Sequence, residues 1–469
     1  MKKLHAILLF TFSLLLFTSL CEGQSWSSVD SGIVANSPSM FGGVFALQTY
    51  NGNLYAGGYI DSSGNIPTSG ISQWNDIAWD SVNTGIYSSH SGVYVYALTV
   101  YNGNLFAGGT FTKAGNISAN NIAQWNGSVW DSLGSGITSF NGTVLALAVY
   151  KGKLYVGGIF TSVGGISANN IATWGGTMWD SVGGGIPGIS EVEAMTVYNG
   201  KLYVGGYFNK AGGISVNNIA TWDGTKWDSV GGGVTGGNIK ALAVYDSTVY
   251  AGGNFDSAGG APARAIASWN GVKWDTVGNV TKTITDAPVI FTLYVYKNNL
   301  YAGGLFDTIA NIAATSIAYW NGTNWHNLGR GLITNKLPGY VTSLAEYEGL
   351  LYAGGLFDTA GMVAALNIAR WNDPLGVTPL ISATNSISVY PNPSTGIFNI
   401  ALSHPELVSG SQTIAVYNVL GQSVYNGMLK HVQHDYEINL SSQPAGVYLY
   451  RVLAEDGSLL GEGKLIIQK

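Results

Sequence analysis

Two histidines, His90 and His326, and three carboxylates, Asp256, Asp307 and Asp358, are the first residues to weigh for chemistry. Imidazoles shuttle protons or ligate metals, and paired carboxylates hydrolyse glycosidic bonds. The histidines, however, stand at places that do not correspond to one another. Each of the three aspartates follows the same Gly-Gly-x-Phe string, and recurrence at equivalent places favours a role in a turn. No His-Glu-x-x-His, EF-hand-like Asp series or Gly-x-Ser-x-Gly context occurs. The sole cysteine, Cys21, lies in the N-terminal leader, which excludes disulfides, thiolate catalysis and Cys-based metal sites from the mature chain. The expectation is therefore a protein with no catalytic set, no cofactor and no metal.

The composition narrows the class. Of 469 residues 66 are glycine, 12% are aromatic and only 10% are charged. Many Tyr, Trp, Val, Ile and Thr residues among Gly-rich turns point to all-β structure. A net charge of −6, with no Lys/Arg run, argues against a nucleic-acid partner. Lys2 and Lys3 precede an apolar run from Ala6 to Leu20 and then Cys21-Glu22-Gly23. That pattern reads as a signal peptide over 1–23, cleaved after Gly23. The apolar run is short for a membrane span, which needs about 20 residues.

These candidate residues must be positioned by a repeat. A motif Leu/Val-aromatic-Ala/Val-Gly-Gly occurs seven times, its second glycines being Gly58, Gly109, Gly158, Gly206, Gly253, Gly304 and Gly355. The spacings of 51, 49, 48, 47, 51 and 51 residues fit one four-stranded unit per repeat. Within a repeat the first strand is like Val144–Tyr150, and a tight turn such as Asn51-Gly52 follows. The Leu-Tyr-Ala-Gly-Gly segment is the second strand. A loop of about ten residues leads to a third strand like Asn170–Trp174. A further tight turn leads to a fourth strand like Trp227–Val230.

All 14 tryptophans fall on repeat positions, either ending the third strand or starting the fourth. A two-residue turn between them would set the two indoles diagonally on one face, to pack neighbouring sheets. The seventh repeat lacks a fourth strand. Its missing element stands at the N-terminus, where Trp26-Ser27-Ser28-Val29 matches Trp179-Asp180-Ser181-Val182. The N-terminal segment is thus expected to complete the last sheet and close the ring. The predicted fold is all-β: a seven-bladed β-propeller over 24–372, a linker over 373–386 and a small immunoglobulin-like β-sandwich over 387–469. The glycine doublets and spaced tryptophans resemble kelch-type propellers. The fuller string Asn-Ile-Ala-x-Trp-Asn-Gly-x-x-Trp-Asp-Ser-Val is more similar to the fungal cortical cell-polarity marker repeats and to bacterial secreted propellers.

Past Trp371 the pattern changes. Short alternating segments predict seven strands between Ile387 and Gln468. Val389-Tyr390-Pro391-Asn392-Pro393-Ser394-Thr395-Gly396, then Val416–Gln422 with Gly421, then Pro444–Val452 with Gly446 and Tyr448, then Lys464–Lys469 follow in order. Together they resemble the type A C-terminal sorting domain of the type IX secretion system. That resemblance implies a Bacteroidota-like host and the type IX machinery with its sortase-like peptidase as partners. It also implies attachment to surface lipopolysaccharide, or release. Tyr390, Pro391, Asn392, Pro393, Gly396, Gly421, Gly446, Tyr448 and Lys464 carry the motif. Triplets such as Asp80-Ser81-Val82, Asp131-Ser132-Leu133 and Asp307-Thr308-Ile309 resemble the O-glycosylation acceptor of such bacteria. The fourth-strand copies also read as buried pairing positions.

Strand parity places the first-to-second and third-to-fourth turns at one end of the ring. The longer connections lie at the other end, and those leading into each first strand vary most. Variable loops on a rigid scaffold are where binding concentrates. Phe41, Tyr87, Phe140 and Tyr340 are the aromatic candidates there, able to stack on a sugar or grip a protein. The expectation is a non-enzymatic surface or extracellular binding module for a glycan or protein. The rival readings are a secreted polysaccharide hydrolase or lyase, and a structural adhesion or surface-layer component.

Overall fold

The computed structural model describes residues 25–35, 42–89, 92–282, 287–335, 337–372, 387–402, 412–418, 422–429, 436–453 and 459–469. Every regular element among them is a β-strand, and no helix among them is long and apolar enough to cross a membrane. The expected leader and linker lie outside the described residues. The chain divides into two units, Met1–Pro374 and Leu375–Lys469.

In the first unit each repeat forms one four-stranded antiparallel sheet, its strands hydrogen-bonded in chain order. Sheet 3 is typical, with strands Thr143–Tyr150, Lys153–Ile159, Ile171–Trp174 and Trp179–Ser181. Sheets 1, 2, 4, 5 and 6 begin at Gly43, Tyr94, Glu191, Ile239 and Val289. Sheet 7 is composite: Tyr340–Tyr347, Leu350–Leu356 and Ile368–Asn372 are completed by Ser25–Ser28. Trp26 pairs there with Trp371, the same register in which Trp179 pairs with Trp174.

Two cycles of hydrogen bonds join the sheets. Each tyrosine ending a first strand donates to a turn carbonyl of the next sheet, as Tyr50 does to Gly103 at 3.0 Å and Tyr150 to Gly200 at 2.6 Å. The last, Tyr347, returns to Gly52 of sheet 1 at 3.1 Å. Each fourth-strand tryptophan donates in the opposite sense, as Trp179 does to the Leu133 carbonyl at 2.8 Å. Trp26 makes that bond to Leu328 of sheet 6 at 3.1 Å. The first strands of successive sheets touch in turn, and that of sheet 7 touches that of sheet 1.

The repeat motif follows from these contacts. A Cβ on Gly57 would lie 2.6 Å from Val95 Cγ1 of the next sheet, so the first glycine of the doublet sets the distance between sheets. The asparagine of Asn-Ile-Ala caps the turn before the third strand. Asn170 holds φ at +58° and accepts from the Phe160 amide at 2.8 Å. Thirteen of the fourteen tryptophans are buried, and Trp320 is partly so. Paired indoles sit 5.0 to 5.6 Å apart, which makes the wall between sheets aromatic.

Three local expectations need correction. The tryptophans of a pair stand directly opposite, not diagonal, because four residues join them rather than two. The first of those four takes the turn amides: Asn126 Oδ1 accepts from Ser128 and Val129, both at 2.9 Å. In sheet 4 an aspartate does the same, and the Thr225 hydroxyl with the Lys226 and Thr225 amides holds the Asp223 carboxyl down to about 2. Next, the ten-residue loop contains a two-residue hairpin, such as Ser62–Ser63 with Ile66–Pro67. It pairs with the segment that follows the preceding fourth strand, as Ser62–Ser63 does with Ile33–Val34. Finally, the fourth-strand hydroxyls are paired in the ladder but not buried. Ser181, Ser229 and Thr276 are exposed on the outermost strand.

The second unit holds two antiparallel sheets. Ile387–Tyr390, Ile397–Leu402 and Tyr436–Asn439 form one; Ser423–Leu429, Gln412–Asn418, Gly446–Leu453 and Leu459–Ile467 form the other. They share a core that includes Phe398 and Ile438 of the first with Val416, Tyr450 and Val452 of the second.

Candidate functional site: the mouth of the ring

Antiparallel order puts the start of every first strand at the end where the long connections lie. Those strands are the free edges of their sheets and adjoin one another around the ring. Each carries a break in register near its start: one residue is left out of the ladder with the second strand. The seven bulged residues are Phe45, Tyr96, Leu145, Glu193, Lys240, Phe291 and Thr342. All seven are half-buried, and every neighbour before them is buried. A bulge re-aims its side chain away from the sheet's alternation.

The second glycine of the doublet permits the bulge. A Cβ on Gly206 would run into the Glu191 carbonyl oxygen, and the corresponding glycine of every sheet meets the equivalent carbonyl. The glycine motif and the bulged side chain are therefore one device.

Bulged residues touch across two of the sheet boundaries and reach neighbouring groups across others. The Phe45 and Tyr96 rings lie 5.4 Å apart, and Tyr96 stacks on Tyr94 at 5.6 Å with the planes 6° apart. Phe291 meets Tyr340 at 6.2 Å. Lys240 Nζ lies 2.5 Å from Glu193 Oε2, and Asn238 donates to Glu193 Oε1 at 2.5 Å. Thr342 Oγ1 donates to the Val44 carbonyl at 2.5 Å. Burial pushes the Glu193 carboxyl above its ordinary range, against the pull of Lys240 and Asn238, with Glu191 adding to the rise. Burial, then Tyr94, pushes the Tyr96 hydroxyl up to about 12. Tyr96 therefore enters any ligand contact as a neutral hydroxyl, a hydrogen-bonding group.

The residues singled out from sequence are distributed as follows. Phe140 is 95% exposed on the connection into sheet 3, and Ile189, not singled out before, is 99% exposed on the next. Tyr87 is exposed but stands on a two-residue strand, Ile86–Tyr87, paired with Lys113–Ala114, and its hydroxyl donates to Thr84. Tyr340 is no loop residue: it begins the first strand of sheet 7, half-buried. Phe41 lies outside the described residues, as does His90. His326 stacks on Tyr319 at 4.8 Å on the fourth strand of sheet 6, away from the mouth. Asp358 accepts from the Asn335 amide at 2.9 Å and from Thr359 Oγ1 at 2.8 Å, a turn role. Among the described residues no three of His, Cys, Asp or Glu converge as a metal site.

The bulge ring was missed in the sequence. Its signal is a variable column between two uniform ones. The residue before is always Val or Ile and the residue after is Ala, Thr or Ser, as in Val-Phe-Ala, Val-Glu-Ala and Ile-Lys-Ala.

In the second unit the Tyr-Pro-Asn-Pro string is a clasp on the terminal strand. Asn392 Nδ2 donates to the Lys464 carbonyl at 2.6 Å and its Oδ1 accepts from the Ile466 amide at 2.9 Å. Ser394 bridges to Ile467. A Cβ on Gly396 would lie 2.6 Å from Ser441 Cα. Tyr448 donates to the Pro444 carbonyl at 2.9 Å. Tyr390 and Lys464 are exposed, and Gly421 lies outside the described residues. Pro391, Pro393 and Gly446 lie in this clasp or open the strand beside it.

That unit defines the class of protein. Residues 388–468 match the family described as the secretion system C-terminal sorting domain. The chain is an exported protein, addressed by a type IX sorting domain to the cell surface or beyond it. No curated protein matches the chain. Among solved structures it is similar to the extracellular domain of a hybrid two-component system from B. thetaiotaomicron, at 12% identity and a TM-score of 0.44. That match covers 91% of this chain and 57% of the other. An α-L-arabinofuranosidase from Clostridium thermocellum matches at 14% identity and a TM-score of 0.25, covering 52% of this chain and 95% of that one. A glycoside hydrolase matches at 9% identity and a TM-score of 0.25, covering 92% and 98%.

Proposed function

We propose that the first unit is a closed, kelch-like, seven-bladed β-propeller and a non-enzymatic binding module for a glycan or protein. The second unit is an immunoglobulin-like sandwich. The type IX machinery carries the protein out after a leader over 1–23 directs it to the inner-membrane translocon. A sortase-like peptidase then removes 387–469 at the 373–386 linker, with attachment to lipopolysaccharide or release. The two hydrogen-bond cycles support closure, since Tyr347 of the last sheet bonds Gly52 of the first and Trp79 of the first bonds Val29, which follows the last strand of sheet 7.

One observation carries the binding assignment. A scaffold that buries thirteen of fourteen tryptophans leaves Phe140 at 95% and Ile189 at 99% exposure on neighbouring connections at one end. Large apolar side chains held out on a rigid frame mark a contact surface. Phe140→Ala and Tyr87→Ala should together weaken ligand binding about tenfold, an effect of roughly 1.4 kcal/mol. Stability should stay within about 0.5 kcal/mol, as for surface substitutions generally. Binding of the exported protein to a glycan array and to immobilised host-surface proteins, with thermal melts alongside, reads both effects. Unchanged binding by the double variant would place the contact surface elsewhere.

A further inference from the structure

The seven bulged positions are where the repeat stops repeating. Their flanks hold to β-branched residues on one side and small residues on the other, because both flanks pack within and between sheets. The bulged residue itself is aromatic, aliphatic, acidic, basic or hydroxylic. A position built identically seven times and filled differently serves something asymmetric that enters the ring.

The filling is ordered. Sheets 6, 7, 1 and 2 are consecutive around the ring, and they carry two aromatic clusters, Phe291 with Tyr340 and Phe45 with Tyr94 and Tyr96, an aromatic arc interrupted by Thr342. Sheets 4 and 5 bring Glu193, Lys240 and Asn238. In a ring of seven the point opposite sheet 1 falls between sheets 4 and 5, so Phe45 stands across from the Glu193–Lys240 pair. Lys240 and Glu193 keep only 27% and 10% of their side-chain surface.

We infer that this bulge ring is a receptor for the end of an uncharged saccharide chain, with a pyranose stacked on the aromatic arc and its hydroxyls bonded by Glu193, Lys240 and Asn238. The inference rests on the reading of the ring as a binding module and names its site and ligand class. The C–H face of a sugar suits a flat aromatic platform, and its hydroxyls need acceptors and donors side by side. A carboxylate beside an ammonium and an amide supplies both. Charge argues against anions: Glu191 and Glu193 together outweigh Lys240 and oppose uronates and phosphates.

Calorimetric titration of the full exported chain tests this. The probes are neutral gluco-, manno-, galacto- and xylo-oligosaccharides of about two to six units, oligogalacturonate and tetramethylammonium. At least one neutral series should bind, and oligogalacturonate should not; tetramethylammonium bound in place of every neutral series would overturn the inference. Glu193→Gln should weaken that binding about tenfold or more, the loss of a charged hydrogen bond. Phe45→Leu keeps apolar volume but removes the flat face, and should weaken it comparably with an unchanged melting temperature. Absence of binding by every neutral series overturns the inference. So does neutral binding that survives both substitutions; if Phe140→Ala then abolishes it, the binding-module reading stands with its ligand on the rim.

Discussion

Gly206→Ala should destabilise the protein by about 3 kcal/mol or more, the upper end of overpacking costs or beyond. The added methyl would collide with the Glu191 carbonyl and lie 3.1 Å from the Glu193 amide nitrogen. Backbone cannot swing aside as a side chain does, so the bulge itself must flatten. Flattening would return Glu193 to the ordinary alternation and take it from Lys240. The neighbouring Gly205→Ala meets side-chain atoms alone, Ile239 Cγ2 at 2.7 Å and Ile239 Cβ and Leu242 Cδ1 at 3.2 Å, and should cost less, about 1–3 kcal/mol. Gly213 has nothing within 4 Å of its would-be Cβ, so Gly213→Ala should be neutral within about 0.5 kcal/mol. Guanidinium unfolding of the three variants gives the ranking. A Gly206→Ala protein as stable as Gly213→Ala would show that the bulge does not need its glycine.

Trp26→Ala should cost about 3–5 kcal/mol, as for a buried large aromatic in a core. A residue so near the chain start would ordinarily fray at little cost. Here its indole is 4% exposed, lies 5.0 Å from that of Trp371 and bonds Leu328 at 3.1 Å. Only a terminal strand that closes the ring makes it equivalent to the internal Trp179. The comparison is therefore direct: Trp26→Ala and Trp179→Ala should shift the unfolding midpoint alike. A Trp26→Ala midpoint close to that of the wild type would mean that sheet 7 is not locked by the N-terminal segment.

The repeat and its displaced fourth strand were readable because tryptophan is rare and its positions fixed. Trp26-Ser27-Ser28-Val29 carried the signature of a displaced fourth strand, and the pairing of Ser25–Ser28 with Asn372–Ala369 follows that register. The bulge was not readable from alternation. One extra residue in a strand changes nothing in an apolar pattern until its partner strand is known, and here the clue lay in the partner's second glycine. The hairpins inside the long connections escaped for a related reason: two-residue strands such as Ser257–Ala258 and Ala261–Pro262 are too short to show a period. Loop aromatics were only partly legible. Phe140 is 95% exposed, whereas Tyr340 belongs to a strand and lies 6.2 Å from the Phe291 ring, tilted against it. Sequence shows where a chain turns, but not how far a strand extends beyond its last hydrophobic residue. The sorting domain was the most legible part, because its motifs stand in order along the chain; the clasp they form, Asn392 on Ile466, spans 74 residues and was not readable from them.

The central claim is that the exported chain binds without turning its ligand over. The most direct measurement follows the protein recovered from the cell surface and medium with the oligosaccharides and proteins it retains, scoring complex formation and product release in one incubation. The account predicts a stable complex, with no new reducing ends, no unsaturated sugar products and no peptide cleavage over many hours. Steady release of any of these, lost in a variant of the mouth such as Glu193→Gln, would contradict it and make the ring an active site.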